Sequence, residues 1–214
     1  MKVIIGILLL FCAVSVKSQN VENHQVEPKG IYKEINTDRD SKIMGQLMSE
    51  SSIKKQSLID SVQKNPNVYI PPVIYALSYA LFQQNKKDDA IYWFYLAQLR
   101  ARYDVNRCTD KTASAAQYNQ LFGPSINEYA FAHLDILEKT IPKVITFVES
   151  NEELYDQRWI NLSGMDAMSA GLGGKAESKN LSINKAKWPK IKSETIKDYS
   201  DGFNEALASF KKKN

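Results

Sequence analysis

The chain has 214 residues, of which 43% are hydrophobic and 24% are charged, and this balance is typical of one globular domain. Its formal net charge of +4 falls to +2 once Lys2 and Lys17 are removed with the export signal described next. A nucleic-acid-binding protein needs a concentrated positive surface to displace counterions, so a nearly neutral mature chain argues against nucleic acid as a partner.

The first 18 residues have the three parts of a cleavable secretory signal. Lys2 supplies the positive start, residues 3–16 form an apolar stretch shorter than a membrane span, and cleavage is expected before Gln19. Cys12 lies inside this segment, and the bulky Phe11 before it argues against a lipidation signal. The sequence therefore predicts a periplasmic or secreted protein with no stable membrane anchor after cleavage.

A polar segment follows the signal. Residues 19–40 contain Pro28 and Gly30 among polar side chains, and they predict an extended or loosely ordered N-terminal arm. Residues 41–214 are predicted to form a single α-helical domain. Its first part, residues 41–64, has apolar residues at helical spacing and favours one or two amphipathic helices.

The strongest pattern in the chain is a pair of helices joined by a short polar turn. Pro71 suits the start of the first helix, which keeps apolar residues as far as Gln84. The second helix is predicted from about Ala90 to Val105. Because so few residues connect them, the two helices are expected to pack antiparallel.

Seven positions of this pair carry a family resemblance: Ile74, Leu77, Ser78, Leu81, Ala90, Phe94 and Ala97. Residues 71–104 resemble one tetratricopeptide or Sel1-type hairpin, although Arg102 stands where the tetratricopeptide pattern ends in proline. Together with Trp159 and Trp188, the hairpin also resembles an uncharacterised family of small exported proteins of Gram-negative bacteria. The resemblance implies a helical repeat-like fold and an envelope location, and it carries no known activity.

The rest of the chain continues the helical pattern. We expect a helix over residues 110–122 that stops at Gly123-Pro124, a second over 125–138 and a third beginning at Pro142. A Gly-rich mobile loop is predicted near residues 164–180, followed by a docking helix from Trp188. The sequence thus predicts an all-α fold, a helical bundle built round the antiparallel hairpin.

The sequence indicates no catalytic residue, cofactor or metal site. His24 and His133 are the only histidines, and neither lies in a metal-binding motif. Cys108 is the only cysteine outside the signal, and a thiol nucleophile would need an imidazole such as His133 in contact with it. An inert buried thiol is the competing interpretation of Cys108.

An arginine cluster gives the leading site hypothesis. Arg100, Arg102 and Arg107 are three of only five arginines in the chain. Their planar guanidinium groups suit carboxylates, phosphates and interface ion pairs, so they predict a partner-binding or anion-binding site. The structural alternative is that they tie helix ends together, with Arg100 pairing with Asp104 one turn away.

Tyr92 and Trp93 belong to an aromatic run, residues 92–95, that covers nearly the whole circumference of its helix. Such a run is explained either by core packing or by a groove for a partner. Combined with the arginines, it favours an exported, non-enzymatic protein that binds another protein, such as an immunity or assembly factor. The alternative is a periplasmic enzyme or small-ligand binder that uses Cys108, His133 and the arginines.

Overall fold

The computed structural model describes residues 26–50, 53–175 and 179–212, and within them the regular structure is entirely helical, without a strand. The signal at residues 1–18 lies outside the described residues. The α-helices are α1 (Asp38–Met48), α2 (Lys55–Lys64), α3 (Pro71–Gln83), α4 (Lys87–Arg107), α5 (Ala116–Ala132), α6 (Leu134–Ser150), α7 (Met165–Gly171) and α8 (Trp188–Lys211). Short 3-10 helices span Gly30–Glu34, Pro66–Val68, Gln157–Ser163 and Lys185–Lys187. The all-α prediction is confirmed.

The turn between α3 and α4 is set by local backbone chemistry. Asn85 adopts a left-handed conformation with φ of 61°, which asparagine tolerates better than most residues. The Lys86 N–H donates to the Leu81 carbonyl and the Asn85 N–H to the Phe82 carbonyl, each at 3.0 Å. This is the Schellman pattern that ends a helix, and it reverses the chain so that α3 and α4 pack as the expected hairpin.

Helix α4 lies at the centre of the molecule. It contacts α3, α5, α6 and α8, while α1 and α2 pack against α3. Most of its side chains are buried, as expected for a helix with several neighbours, whereas Arg102 and Asn106 are exposed. The likeness to a tetratricopeptide or Sel1 repeat stays a prediction.

The predicted helix boundaries at two prolines are wrong. Helix α5 continues through Gly123 and Pro124 and ends before His133, and α6 contains Pro142 in its interior. Both prolines are exposed, so water solvates the carbonyl groups that lose a helical N–H donor. On the opposite side of α5, Phe122 and Ile126 are buried in the core, and this packing holds the helix together across the proline.

The described part of the predicted arm is packed rather than extended. Residues Gly30–Glu34 form a 3-10 helix, and α1 already begins at Asp38. The Tyr32 side chain is 1% exposed and Ile35 is 6% exposed. These two side chains bury enough apolar surface to hold a segment that is polar in composition.

The Gly-rich segment near residues 164–180 also differs from the predicted loop in its first half. Residues Met165–Gly171 form α7, and Ala167 and Leu181 complete a small second apolar cluster with Tyr32 and Ile35. The N-terminal segment and the Gly-rich segment therefore fold against each other. No helix among the described residues is both long and apolar enough to cross a bilayer.

Candidate functional site

The aromatic run of α4 is largely core. Trp93 is 9% exposed, and the rings of Phe94 and Tyr95 are buried against α3 and α8. Tyr92 is half-buried and its ring meets Trp93 edge-on, with 5.1 Å between the ring centroids. Four covering helices use almost the whole circumference of α4, so Tyr92 and Trp93 do not form an open aromatic groove.

Arg100 is fully buried and holds neighbouring segments of the chain together. Its Nη1 donates to the Pro66 carbonyl at 2.9 Å, and its Nη2 donates to the Asn67 carboxamide oxygen. The guanidinium carbon lies 5.2 Å from the centre of the Phe147 ring. These contacts tie α4 to the turn after α2 and to α6. Arg100 is thus unavailable to a partner, and the expected pairing with Asp104 is absent from its contacts.

Asp104 is instead the centre of a buried polar network with Arg107. Arg107 donates to Asp104 Oδ1 through Nη2 at 2.6 Å and Nε at 3.2 Å. Tyr155 Oη and Trp159 Nε1 donate to the other oxygen, Oδ2, at 3.0 and 2.7 Å. Burial raises the pKa of Asp104 to about 6, against the charge and hydrogen bonds of Arg107 and the hydrogen bond of Trp159.

Arg107 is also enclosed on its other sides. It is 3% exposed, and its guanidinium carbon lies 3.9 Å from the Tyr103 ring centre and 4.6 Å from that of Trp188. Glu153 approaches at 3.9 Å and forms a second ion pair with Lys192 at 3.5 Å. Arg107 therefore joins α4, α8 and the segment before the Gln157–Ser163 helix, and its role is structural.

Arg102 is the member of the arginine cluster that stays exposed. Two positions after Arg100, it points about 200° away around α4, toward α5 and α8. Among the described residues it has no hydrogen bond or ion pair, and it borders a cleft of about 370 Å³. The structure therefore separates the three arginines: two are internal, and one faces an opening.

The cleft lies between α4, α5 and α8, and we call it the Arg102 cleft. Its lining residues are Tyr75, Gln98, Ala101, Arg102, Val105, Asn106, Ser114, Ala115, Ala116, Asn119 and Tyr199. Arg102 is the charged residue of this lining, and no carboxylate belongs to it. The lining of the cleft thus carries one formal positive charge.

A hydrogen-bonded chain of side chains forms one wall of the Arg102 cleft. Tyr199 donates to the Gln98 oxygen at 2.9 Å, and the Gln98 amide donates to the Asn119 oxygen at 3.2 Å. Tyr75 donates to the same Asn119 oxygen at 2.7 Å. Burial raises the pKa of Tyr75 and of Tyr199 well above the usual value, so both hydroxyls remain protonated donors.

Cys108 and His133 do not form a dyad. Cys108 is 1% exposed, its thiol donates to the Asn161 oxygen at 3.1 Å, and burial raises its pKa to about 11. His133 stacks on Tyr129, whose hydroxyl donates to Asp88 in the first turn of α4. Cys108 follows the far end of the same helix, so about 30 Å of α4 separates the two residues.

No group of three or more histidine, cysteine or acidic side chains that could hold a metal ion occurs in the described part of the chain. Comparisons with protein-family models, with curated proteins and with solved structures each return no match.

The sequence pattern did not identify Gln98, Asn119 and Tyr199 as site residues. They lie on three different helices, and only the packing of α4 against α5 and α8 brings them together. Asp104 did offer a signal, since a carboxylate that lies among the buried positions of a helix needs buried partners. Those partners, Tyr155 and Trp159, are 51 and 55 residues away in the chain.

Proposed function

We propose that this protein is an exported, non-enzymatic binding protein of the bacterial envelope that engages another protein at the Arg102 cleft. The single observation that supports this location of the binding site is the exposed Arg102 guanidinium, which has no ion-pair partner among the described residues and borders a cleft. An unpaired arginine beside a concave surface is a common anchor for partner recognition.

The contrast with the other cluster residues supports this choice of surface. Arg100 and Arg107 have buried structural partners, and Trp93 lies in the core. A partner would have to unfold the helix packing to reach them. Of the hypothesised site residues, Arg102 is open to a partner and Tyr92 is half-open.

An enzymatic role through Cys108 is disfavoured by geometry and electrostatics. A thiolate nucleophile needs a lowered pKa and an imidazole in contact, whereas burial raises the pKa of Cys108 to about 11 and His133 lies near the other end of α4. Immunity toward an envelope-targeted toxin and assistance in assembly both remain partner-binding roles that suit the proposal.

The test is affinity capture from an envelope extract with the mature chain, beginning at Gln19, as bait. Arg102→Ala is the test variant, and Lys190→Ala is the matched control because it also removes one exposed positive charge. Lys190 precedes Tyr199 by nine residues and lies on the opposite side of α8 from the cleft. Arg100 and Arg107 are left intact because truncating them would disturb the fold.

We expect a specific protein to be retained by the wild type and by Lys190→Ala and lost with Arg102→Ala. Circular dichroism of all three baits checks that each is folded. Retention of the same protein by all three baits would refute the Arg102 cleft as the interface. Failure of every bait to retain a specific protein would refute the partner-binding role.

A further inference from the structure

The hydrogen bonds around Asn119 leave unused donors on a residue that lines the Arg102 cleft. The Asn119 oxygen accepts from Tyr75 and from Gln98, which fixes the carboxamide with its oxygen toward those two groups. Both Asn119 N–H groups then have no acceptor among the described residues. With both tyrosine hydroxyls donating at the ends of the chain, the Asn119 amide nitrogen is the group left without a partner.

Arg102 adds a second set of unused donors to the same wall. The five guanidinium N–H groups are unpaired among the described residues, and Arg102 lines the same cleft as Asn119 and Tyr199. The lining thus presents donors from Arg102 and Asn119 and offers one positive charge. A complementary ligand group is an acceptor with one negative charge.

A carboxylate fits this arrangement better than a phosphate. A carboxylate is a planar monoanion that accepts two parallel hydrogen bonds from a guanidinium, with lone pairs left for a carboxamide. A phosphate dianion would bring twice the charge to a site with one cation. The lining also includes Ala101, Val105 and Ala115 beside polar side chains, and these apolar residues suit a small aliphatic group next to the carboxylate.

We propose that the Arg102 cleft binds a single carboxylate group through the Arg102 guanidinium and the Asn119 carboxamide. We take this carboxylate to be the C-terminal carboxylate of a partner protein, and this part of the inference rests on the proposed function. A free organic acid offers the same chemistry. With a volume of about 370 Å³, the cleft accommodates a carboxylate and one or two small residues.

The experiment is a nuclear magnetic resonance titration of ¹⁵N-labelled mature protein, with four probes. The probes are N-acetyl-alanyl-alanine with a free carboxylate, the same dipeptide with a terminal amide, succinate, and inorganic phosphate. We expect the free-carboxylate dipeptide to shift the side-chain resonances of Asn119, Gln98 and Arg102. The amide should bind about tenfold more weakly or worse, because it loses a charge-assisted hydrogen bond pair.

Variants separate specific recognition from a general charge effect. Arg102→Gln removes the charge and should abolish the shifts, while Arg102→Lys keeps the charge without the planar fork and should weaken binding. Lys190→Ala should bind as the wild type does. All three variants change an exposed side chain, at one of two positions, so we expect the fold to be retained.

Three results would overturn the carboxylate inference: equal binding of acid and amide, tighter binding of phosphate than of either acid, or unchanged binding by Arg102→Gln. Absence of any shift with the two acids would overturn it as well. Binding of both succinate and the dipeptide acid supports the carboxylate site, and their relative affinity distinguishes a free acid from a chain terminus. If the carboxylate probes bind in the titration but affinity capture retains no specific protein, the proposed function is refuted and the carboxylate site is still supported.

Discussion

The buried ion pair between Asp104 and Arg107 is predicted to stabilise the fold, and Arg107 rather than Arg100 is the arginine that couples to Asp104. Asp104 accepts four hydrogen bonds, two from Arg107 and one each from Tyr155 and Trp159. Asp104→Ala would leave two neutral donors unsatisfied and a guanidinium without its nearest carboxylate. Removing one partner of such a buried pair costs about 3–5 kcal/mol of unfolding free energy.

A double-mutant cycle identifies the partner. Arg107→Met is expected to be comparably destabilising, and the double variant should be more stable than the sum of the two losses by about 1.5–3 kcal/mol. A matched cycle pairs Asp104→Ala with Arg100→Met. Arg100 donates to Pro66 and Asn67 instead, so its coupling to Asp104 should stay below about 1 kcal/mol.

Urea unfolding followed by far-ultraviolet circular dichroism at neutral pH measures all five variants. The pairing in the structure is refuted if Arg100 couples to Asp104 as strongly as Arg107 does. The pairing is also refuted if Asp104→Ala lowers the free energy of unfolding by less than about 1 kcal/mol, since removing one partner of a buried ion pair is strongly destabilising.

The remaining predictions concern the core, the thiol and helix α5. Leu77→Ala should lower the free energy of unfolding by about 2–5 kcal/mol because Leu77 is fully buried, whereas Leu121→Ala, at a site 57% exposed, should change it by less than about 0.5 kcal/mol. Equal effects of the two in urea unfolding would contradict the assigned core. Because burial raises the pKa of Cys108 to about 11, little thiolate exists at neutral pH, so alkylation of the native protein should be far slower than that of the urea-unfolded chain and should accelerate as the pH rises toward 11. Mass spectrometry measures the alkylation of Cys108, and rapid alkylation in the folded protein at neutral pH would support the nucleophile hypothesis. Pro124→Ala should raise the unfolding free energy by about 1–3 kcal/mol, because it restores a helical N–H inside a continuous α5, and a loss of stability in the same assay would favour the helix break expected from the sequence.

Local sequence signals were sufficient for the elements whose boundaries depend on neighbouring residues. Pro71 suits a helix start and Asn85 suits the left-handed turn, so the hairpin of α3 and α4 follows from chemistry within a few residues. The same local rules placed helix ends at Pro124 and Pro142, where tertiary packing overrides them. A proline stops a helix only when nothing else holds the two halves in line.

The candidate site was predictable in part. Arginine chemistry drew attention to Arg100, Arg102 and Arg107, of which Arg102 borders the cleft, and the seven-residue separation put Arg100 and Arg107 on one face of α4. It could not say that this face is the internal one. Periodicity fails here because the buried face of α4 itself carries charged residues, Arg100, Asp104 and Arg107, so the charge pattern does not mark which side faces solvent.

The sequence by itself determined the helical class and the hairpin, because helix periodicity and turn residues act over short stretches of chain. The secretory signal stays a prediction. The tertiary structure alone decided that Arg100 and Arg107 are buried and make structural contacts, and that Arg102 borders a cleft lined by hydrogen-bond donors. The physical reason is that burial and pairing depend on groups brought together from distant positions. Asp104 meets Trp159 across 55 residues, and Gln98 meets Tyr199 across 101.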